Sequence, residues 1–307
     1  MLMAPDIAVI GHFSIDHLKL PKHPQPYTTL GGAVAYVSLA TAILGGKASV
    51  LSKIGCDFPQ EWLTQLSQKG IDISRITKAR NEETTSFELT YNQDFSARIL
   101  NLLKRGSPIS LNDLPSSLNA KVIHIAPIAD EIPMEVVEHL RHCSRCLSID
   151  PQGMTRKFNE NGEVVNSAQL DRRLLSLVDI FKSSLDEIQV LTGQSELKEA
   201  IKFMHDLGPQ MVIVTMGSKG SILSSQGSVL EVPACKSIRV VDPTGAGDVF
   251  IGAFLTENIQ HKEMLWCACI GSAAASMVVE GVGTSFPGDK EEIYRRARTI
   301  YEKEIKP

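Results

Sequence analysis

The string Asp242-Pro-Thr-Gly-Ala-Gly-Asp248-Val-Phe-Ile-Gly-Ala-Phe-Leu255 sets a carboxylate directly behind a turn of small residues, where an apolar, proline-free run begins. If that run, 249–258, is a helix, the amides of Gly245, Ala246 and Gly247 leave its N-terminus, where four N–H groups lack internal acceptors and the macrodipole is positive. Such an end cradles anions. Asp248 lies in the first turn beside it, where the same dipole favours the ionised carboxylate and keeps it able to accept a proton. A base next to an oxyanion site suits phosphoryl transfer to an alcohol: the base removes the hydroxyl proton while the amides neutralise charge growing on the phosphoryl oxygens. A glycine triplet with a first-turn acid is more often a plain helix start, so the rest of the chain must supply the partners of this chemistry.

Those partners need a scaffold, and the hydrophobic pattern alternates strand and helix. Strands are predicted over 7–10, 48–54, 121–126, 146–149 and 211–215, with helices over 33–44, 58–69, 133–142 and 196–207. The segment 229–241, ahead of the cradle, reads extended. This alternation predicts an α/β fold with a mostly parallel sheet and helices on both faces. Two β-like segments, 13–20 and 84–103, have no helix between strands; the second resembles a hairpin around Asn92-Gln93-Asp94, rich in β-branched and aromatic residues. They are expected to form a lid over one edge of the sheet, so that 1–307 is one domain with a lid subdomain from about 12–30 and 83–104. A lid would exclude water, which otherwise competes as acceptor.

The 307 residues are 43% hydrophobic, enough for a large core, with a formal net charge of −4 and a pI of about 6.1. No basic cluster is long enough to grip a nucleic-acid backbone, and nucleic acid is not an expected partner. The start of the chain lacks a charged n-region and reaches a strand at once, so no signal peptide is expected; nor does any apolar run approach the roughly 18 residues that span a bilayer. Six scattered cysteines, at 56, 143, 146, 235, 267 and 269, fit free thiols in a reducing cytoplasm. His139, His142, Cys143 and Cys146 have metal-ligand spacing, but they read as a helix leading into a strand with no second Cys pair, and no structural zinc is expected. The chain has no Gly-x-x-x-x-Gly-Lys-Ser/Thr, and Gly11-His-Phe lacks the dinucleotide fingerprint, which sets aside P-loop kinases and Rossmann dehydrogenases.

The complete string around Asp248, with Gly252-Ala253 on the helix that follows, closely resembles the second signature of the ribokinase-like (PfkB) carbohydrate kinase family. The resemblance implies a ribokinase-like three-layer α/β/α fold with a central mostly parallel sheet and a small β lid. It implies Asp248 as catalytic base and Gly245, Ala246 and Gly247 as anion hole. Gly31-Gly32-Ala-Val-Ala-Tyr36 is similar to the first signature in spacing, although Tyr36 stands where that signature carries Asn and Ala33 where ribokinases carry Lys; two polar contacts to a ribose are therefore missing. Asp16 occupies the place of the family's acidic residue that bonds acceptor hydroxyls, and a carboxylate accepts from two neighbouring hydroxyls at once.

The same resemblance extends to the donor side. Ser184-Leu-Asp-Glu187 resembles the family's Asn-x-x-Glu element with Ser184 in place of Asn, and implies that Glu187 organises Mg2+ through water. Thr215-Met-Gly217-Ser218-Lys219-Gly220 resembles the nucleotide-phosphate turn, with Lys219 either adding charge or simply solvated. Gly281-Val-Gly283-Thr-Ser285 resembles the nucleotide and monovalent-cation loop, which with Asp242 and Thr244 would supply an oxygen-rich K+ site. The implied protein is a cytoplasmic ATP-dependent kinase of a small polyol or sugar, dimeric through its lid.

For the acceptor, the runs 83–91 and 103–108, Arg98, and Gly31-Gly-Ala-Val-Ala-Tyr36 are similar to the archaeal and plant inositol-kinase branch. That puts a cyclic polyol such as myo-inositol first and a sugar or nucleoside second. Asp150-Pro-Gln-Gly with Arg156 would reach the acceptor or its product phosphate. The alternative from another class is a non-catalytic sensor of phosphometabolites, with Tyr36 and Ser184 marking lost catalysis; an intact Asp248 beside its cradle argues for the enzyme, since a sensor has no need of a proton acceptor there.

Overall fold

Four apolar residues in a row fit only a strand covered on both faces, and β1 (Ile7–Ile10) is such a strand, inside a nine-stranded sheet. The computed structural model describes residues 4–21, 25–95 and 97–305; the parts of the expected lid at 22–24 and 96 lie outside them. The other strands of the sheet are β4 (Ala48–Ile54), β5 (Asp72–Lys78), β8 (Val122–Ile125), β9 (Leu147–Ile149), β12 (Ile180–Ser184), β13 (Met211–Thr215), β14 (Ser221–Ser225) and β15 (Ser228–Val232), in the order β15-β14-β13-β12-β9-β8-β1-β4-β5. All neighbours pair parallel except β14, which is antiparallel to β13 and to β15.

Alternation along the buried strands sends side chains into two cores. Ile7 and Val9 join α1 (Ala33–Ile43), α7 (Ala246–Asn258), α8 (Met264–Val278) and α9 (Lys290–Ile305), while α2 (Gln60–Gln68) adds Leu66 to the same cluster. Ala8 and Ile10 face the opposite way, toward α3 (Met134–Cys143), α4 (Arg172–Leu177), α5 (Leu185–Thr192) and α6 (Leu197–Leu207). The expected three layers are therefore present. Among the described residues no helix is long and apolar enough to cross a membrane.

A second sheet of four strands, in the order β3-β2-β6-β7, consists of β2 (Ser14–Lys19), β3 (Tyr27–Gly31), β6 (Ser86–Tyr91) and β7 (Arg98–Lys104). It corresponds to the two segments that lacked helices, with β3 added. Ser14, Asp16, Phe87, Leu89, Arg98 and Leu100 stand on its inner face, toward a cleft, whereas Ile99 and Leu103 stand on the outer face, 52% and 50% exposed. A small hairpin, β10 (Arg156–Phe158) and β11 (Val164–Asn166), abuts β7 where the Leu102 amide donates to Gly162 O at 2.8 Å.

The extended segment expected over 229–241 is shorter than its composition implied. Strand β15 ends at Val232 because Pro233 cannot donate to the ladder. From there to Gly245 the chain is irregular, held by side chains and carbonyls of α8 and its end: the Cys235 amide donates to Ser272 Oγ, that of Ile238 to Glu280 Oε1, and those of Val241 and Asp242 to Val279 O. Helix α2 likewise starts at Gln60 with Pro59 as its N-cap, not at Phe58.

Candidate active site

Helix α7 begins at Ala246 because Gly245, in the left-handed region with φ 77°, breaks the incoming chain. A side chain there is excluded twice over: a Cβ on Gly245 would lie 2.3 Å from the Tyr36 ring. Gly245, Ala246, Gly247 and Asp248 are all half-buried; Gly245 and Asp248 line the cleft, while the Ala246 amide is turned back to Pro243 O at 3.4 Å. The cleft encloses about 420 Å³, its mouth included, and is lined by Asp248, Gly245, Thr244, Tyr36, Ala33 and Gly32 on one side and the inner face of the lid sheet on the other.

The Asp248 carboxylate is held in place. Its Oδ1 accepts from Gln152 Nε2 at 3.0 Å, and Gln152 Oε1 accepts in turn from Arg156 Nη2 at 2.6 Å. Arg156 is fixed by Ile128 O at 3.0 Å. Burial works against the helix dipole at this acid. Burial raises its pKa to about 6, with Asp150 adding to the rise and Lys182, Arg156 and Arg98 opposing it. Desolvation outweighs the dipole at a half-buried site walled by protein.

Lys182 and Asp150 were not assigned these places from sequence. Lys182 Nζ donates to Asp150 Oδ2 at 2.5 Å, with the two side chains 6% and 1% exposed. Burial pulls the ammonium pKa down, but the charges of Asp150, Asp248 and Glu187 more than offset it, and it ends above the ordinary lysine value. The same Nζ would lie 2.8 Å from a Cβ on Gly247, so this ammonium sits against the cradle. The Asp150-Pro-Gln-Gly turn therefore does not present its acid to the cleft. Asp150 holds Lys182, and it is Gln152 and Arg156 that line the opening. A lysine at the third place of Ile-Phe-Lys-Ser-Ser was the available signal, since a charge inside a buried strand needs a partner.

Asp16, which also lines the cleft, stands on β2 and is 4% exposed. Its Oδ1 accepts from Ser14 Oγ at 2.6 Å, and burial, reinforced by Asp242, pushes its pKa up to about 7 against that hydrogen bond. Gly31 and Gly32 let the chain pass this carboxylate: a Cβ on Gly31 would lie 2.0 Å from Asp16 Oδ2, and Gly32 caps α1 with φ 90°. Tyr36 follows on α1, 2% exposed, with no hydrogen-bond partner for its hydroxyl.

The donor-side residues gather at the carboxyl ends of β12 and β13, where Ser184 and Thr215 are register partners. Ser184 and Glu187 form a capping box: Glu187 Oε2 accepts from the Ser184 amide and hydroxyl, both at 2.8 Å, and the Glu187 amide donates to Ser184 Oγ at 3.3 Å. Ser184 thus spends its hydroxyl on starting α5, while Glu187 Oε1 stays outside the box. Thr215 leads into the short turn Gly217–Lys219, with Gly217 and Gly220 at positive φ and Gly217, Ser218 and Lys219 exposed.

The proposed cation residues are joined to one another and to the lid. Asp242 Oδ1 accepts from the Thr244 amide at 3.0 Å and hydroxyl at 2.6 Å, and Oδ2 accepts from the Gly283 amide at 2.8 Å. Because the Thr244 proton is used there, Tyr91 Oη, 2.7 Å away, is the donor to Thr244 Oγ1, and Arg98 Nη1 donates to Tyr91 Oη at 3.3 Å. Gly281 passes Ser285, whose carbonyl would lie 2.1 Å from a Cβ at 281, and Gly283 abuts Thr29 of the lid. Ser285 itself donates its amide to Val282 O. Among the described residues no group of three or more His, Cys, Asp or Glu side chains forms a metal-ligand cluster; Cys143 Sγ lies 3.5 Å from His139 Nε2 on one face of α3.

If Asp248 is the proton acceptor and Asp16 the hydroxyl acceptor that the resemblance implies, a particular acid limb is expected. The rate at saturating acceptor should fall about tenfold per pH unit below about 6, as Asp248 takes up its proton. The ratio kcat/KM for the acceptor should begin to fall higher, near 7, because Asp16 protonates first. Initial rates between pH 5 and 9 check both limbs, and a kcat flat down to pH 5 excludes Asp248 as the base.

The geometry agrees with what comparison finds. Residues 4–291 match the model described as pfkB family carbohydrate kinase. A cytidine kinase of Thermococcus kodakarensis is 32% identical over 283 residues, 91% of this chain and 97% of that protein. A nucleoside kinase of Methanothermobacter thermautotrophicus is 28% identical over 308 residues, 94% and 95% of the two chains. Among solved structures, a pyrophosphate-dependent kinase in the ribokinase family, complexed with a pyrophosphate analog and myo-inositol, superposes with a TM-score of 0.77 at 23% identity. That superposition covers 94% of this chain and 99% of the other, a likeness of fold.

Proposed function

The chain belongs to the pfkB family of carbohydrate kinases, phosphotransferases of ribokinase-like fold, and we propose that it moves the γ-phosphoryl group of ATP to the primary hydroxyl of a nucleoside. Its relatives make it a sugar or nucleoside kinase. The observation that carries the narrower reading is the composition of the cleft. Asp248, Gly245 and Asp16 line it, and the lid and its surroundings add the apolar side chains of Phe87, Leu89, Leu100 and Ile128. A planar base needs such an apolar wall. A ribose needs polar groups, and Asp16 accepts from two adjacent hydroxyls.

In the reaction, Asp248 takes the proton of the attacking hydroxyl. The new P–O bond forms to that oxygen as the bond to the β–γ bridging oxygen breaks, and ADP leaves. The Gly245 and Gly247 amides at the start of α7 face the developing negative charge, which is where preorganised donors act most strongly. Lys182 adds a fixed positive charge behind them, and Gln152 keeps Asp248 in line. ATP is the donor in the Arabidopsis thaliana ribokinase solved with ribose and ATP, and Mg2+ bound with it would neutralise phosphate charge; Glu187 fits that ion because one carboxylate oxygen lies outside the capping box, enough for a metal that binds through few protein ligands and several waters. The turn Thr215–Gly220 and the loop Gly281–Ser285 hold the nucleotide, and the oxygens around Asp242 and Thr244 are the place for K+.

A cyclic polyol, the acceptor expected first from sequence, is the second reading, favoured by the polar groups of Ser14, Asp16, Arg98, Gln152 and Arg156 in the same cleft. A pure sensor is disfavoured by a carboxylate whose pKa of about 6 suits proton transfer. We also place a homodimer contact on the outer lid face, where Ile99 and Leu103 are half exposed. ADP release from MgATP across cytidine, uridine, adenosine, inosine, ribose and myo-inositol tests the acceptor. The largest kcat/KM is expected for a nucleoside; a larger value for myo-inositol or ribose overturns that choice, and no turnover with any acceptor or donor overturns the enzyme.

A further inference from the structure

We propose that Tyr36 is a specificity-determining residue whose hydroxyl donates a hydrogen bond to one acceptor hydroxyl that also donates to a carboxylate of the cleft. The inference rests on the kinase reading above and assigns a side chain that the mechanism does not use.

The first observation is an imbalance. Tyr36 is 2% exposed and its Oη has no hydrogen-bond partner. A buried hydroxyl without a partner loses its water contacts and gains nothing in return. A phenylalanine would fill the same space without that loss, so the free protein derives no stability from this oxygen.

The second is that the ring has nowhere else to go. Three of its atoms would lie within 2.3–2.5 Å of a Cβ on Gly245, so the ring lies against the backbone of the amide cradle, and it lines the cleft between Gly32 and Thr244. Tyr36 stands where the family's first signature carries Asn, so this position of the cleft wall still bears a polar side chain.

The third is its electrostatic setting. The charges that bear on the phenol are Asp242, Asp16 and Asp248, with Tyr91 beside them, and together with burial they hold its pKa well above the ordinary tyrosine value. The phenol is therefore neutral at working pH and has a proton to give. Asp16 already takes one hydrogen bond from Ser14, and Asp242 takes three from Thr244 and Gly283. What fits between such groups is an alcohol, which donates its proton to a carboxylate and offers its lone pairs to the phenol. An ether or a deoxy position satisfies only one side or neither. The cleft would thus count hydroxyls through matched donors and acceptors, a mode that discriminates more sharply than apolar fit.

The test is Tyr36→Phe, assayed with the preferred acceptor and its 2′-deoxy and 3′-deoxy forms, together with thermal unfolding. The expected result is an acceptor KM raised about tenfold, an ATP KM unchanged, and a melting midpoint equal to or above wild type. One deoxy analogue should also give the same KM in both proteins, because the oxygen Tyr36 would contact is already gone. An unchanged acceptor KM overturns the proposal, as does a lowered midpoint with equal losses on every analogue, which would mean the hydroxyl serves the fold. Should the acceptor prove to be a polyol, the nucleoside reading falls, while the same ratios measured on polyol and deoxypolyol still decide Tyr36.

Discussion

Asp248→Asn is expected to slow turnover by at least 10²–10⁴-fold, the range typical of general-base removal, while the protein folds and binds nucleotide as before. The substitution keeps the shape of the side chain, and Asn can still accept from Gln152 Nε2 through its carbonyl oxygen, so the Arg156–Gln152 arrangement survives. What is lost is the one group beside the cradle that can take the hydroxyl proton. The amides of α7 and the charge of Lys182 remain, so a residual rate above the uncatalysed one should persist. Rapid-quench measurement of the first turnover separates this from slowed product release. Wild-type kcat in Asp248→Asn would falsify the assignment.

Lys182→Met should damage two properties at once. It leaves the Asp150 carboxylate, 1% exposed, without its counter-charge, and breaking a buried pair from one side costs about 3–5 kcal/mol. A fall of roughly ten degrees in Tm follows for a chain of this size. Lys182 also lowers the pKa of Asp248, so its removal should move the acid limb of kcat above about 6, a change that loss of stability alone cannot produce. The double variant Asp150→Leu/Lys182→Met removes both charges. It should regain much of the stability, since apolar replacements of buried pairs are often neutral, and part of the original limb, since Asp150 raises the Asp248 pKa that Lys182 lowers, but not the rate. Urea unfolding and pH–rate profiles of the three variants are the measurements. If the double variant turns over like wild type, Lys182 serves only the fold.

The parts of this molecule that were legible in its sequence are those written in consecutive residues. Ile7–Ile10 names a strand buried on both sides, and the glycine turn before Ala246 names a helix start with an acid behind it. Strand β12 was harder: Ile-Phe-Lys-Ser-Ser is not an apolar run, because Lys182 and Ser184 serve the edge of the site and not the core. Strand β5 sits at the sheet edge with Asp72, Ser74 and Arg75 on a half-exposed surface, so its composition looks like a loop. Pairs were hardest. Asp150 and Lys182 stand 32 residues apart and meet only because β9 and β12 are neighbours, an order that strand composition does not encode. The raised pKa of Asp248 was out of reach for the same reason, since the burial that raises it comes from elements distant in sequence.

One connection bears on how such a protein can be altered. The hydrogen bonds that run from Arg98 and Tyr91 through Thr244 and Asp242 to Gly283 leave each member bound to a neighbour, with Thr29 packed on Gly283 from the other side. Transplanting a hairpin from a relative, to change which alcohol is phosphorylated, would therefore also disturb residues 242–244 and 281–285, the loops we propose for the cation and the nucleotide. Successful chimeras should require residues 242–244 and 281–285 to travel with the hairpin as one cassette.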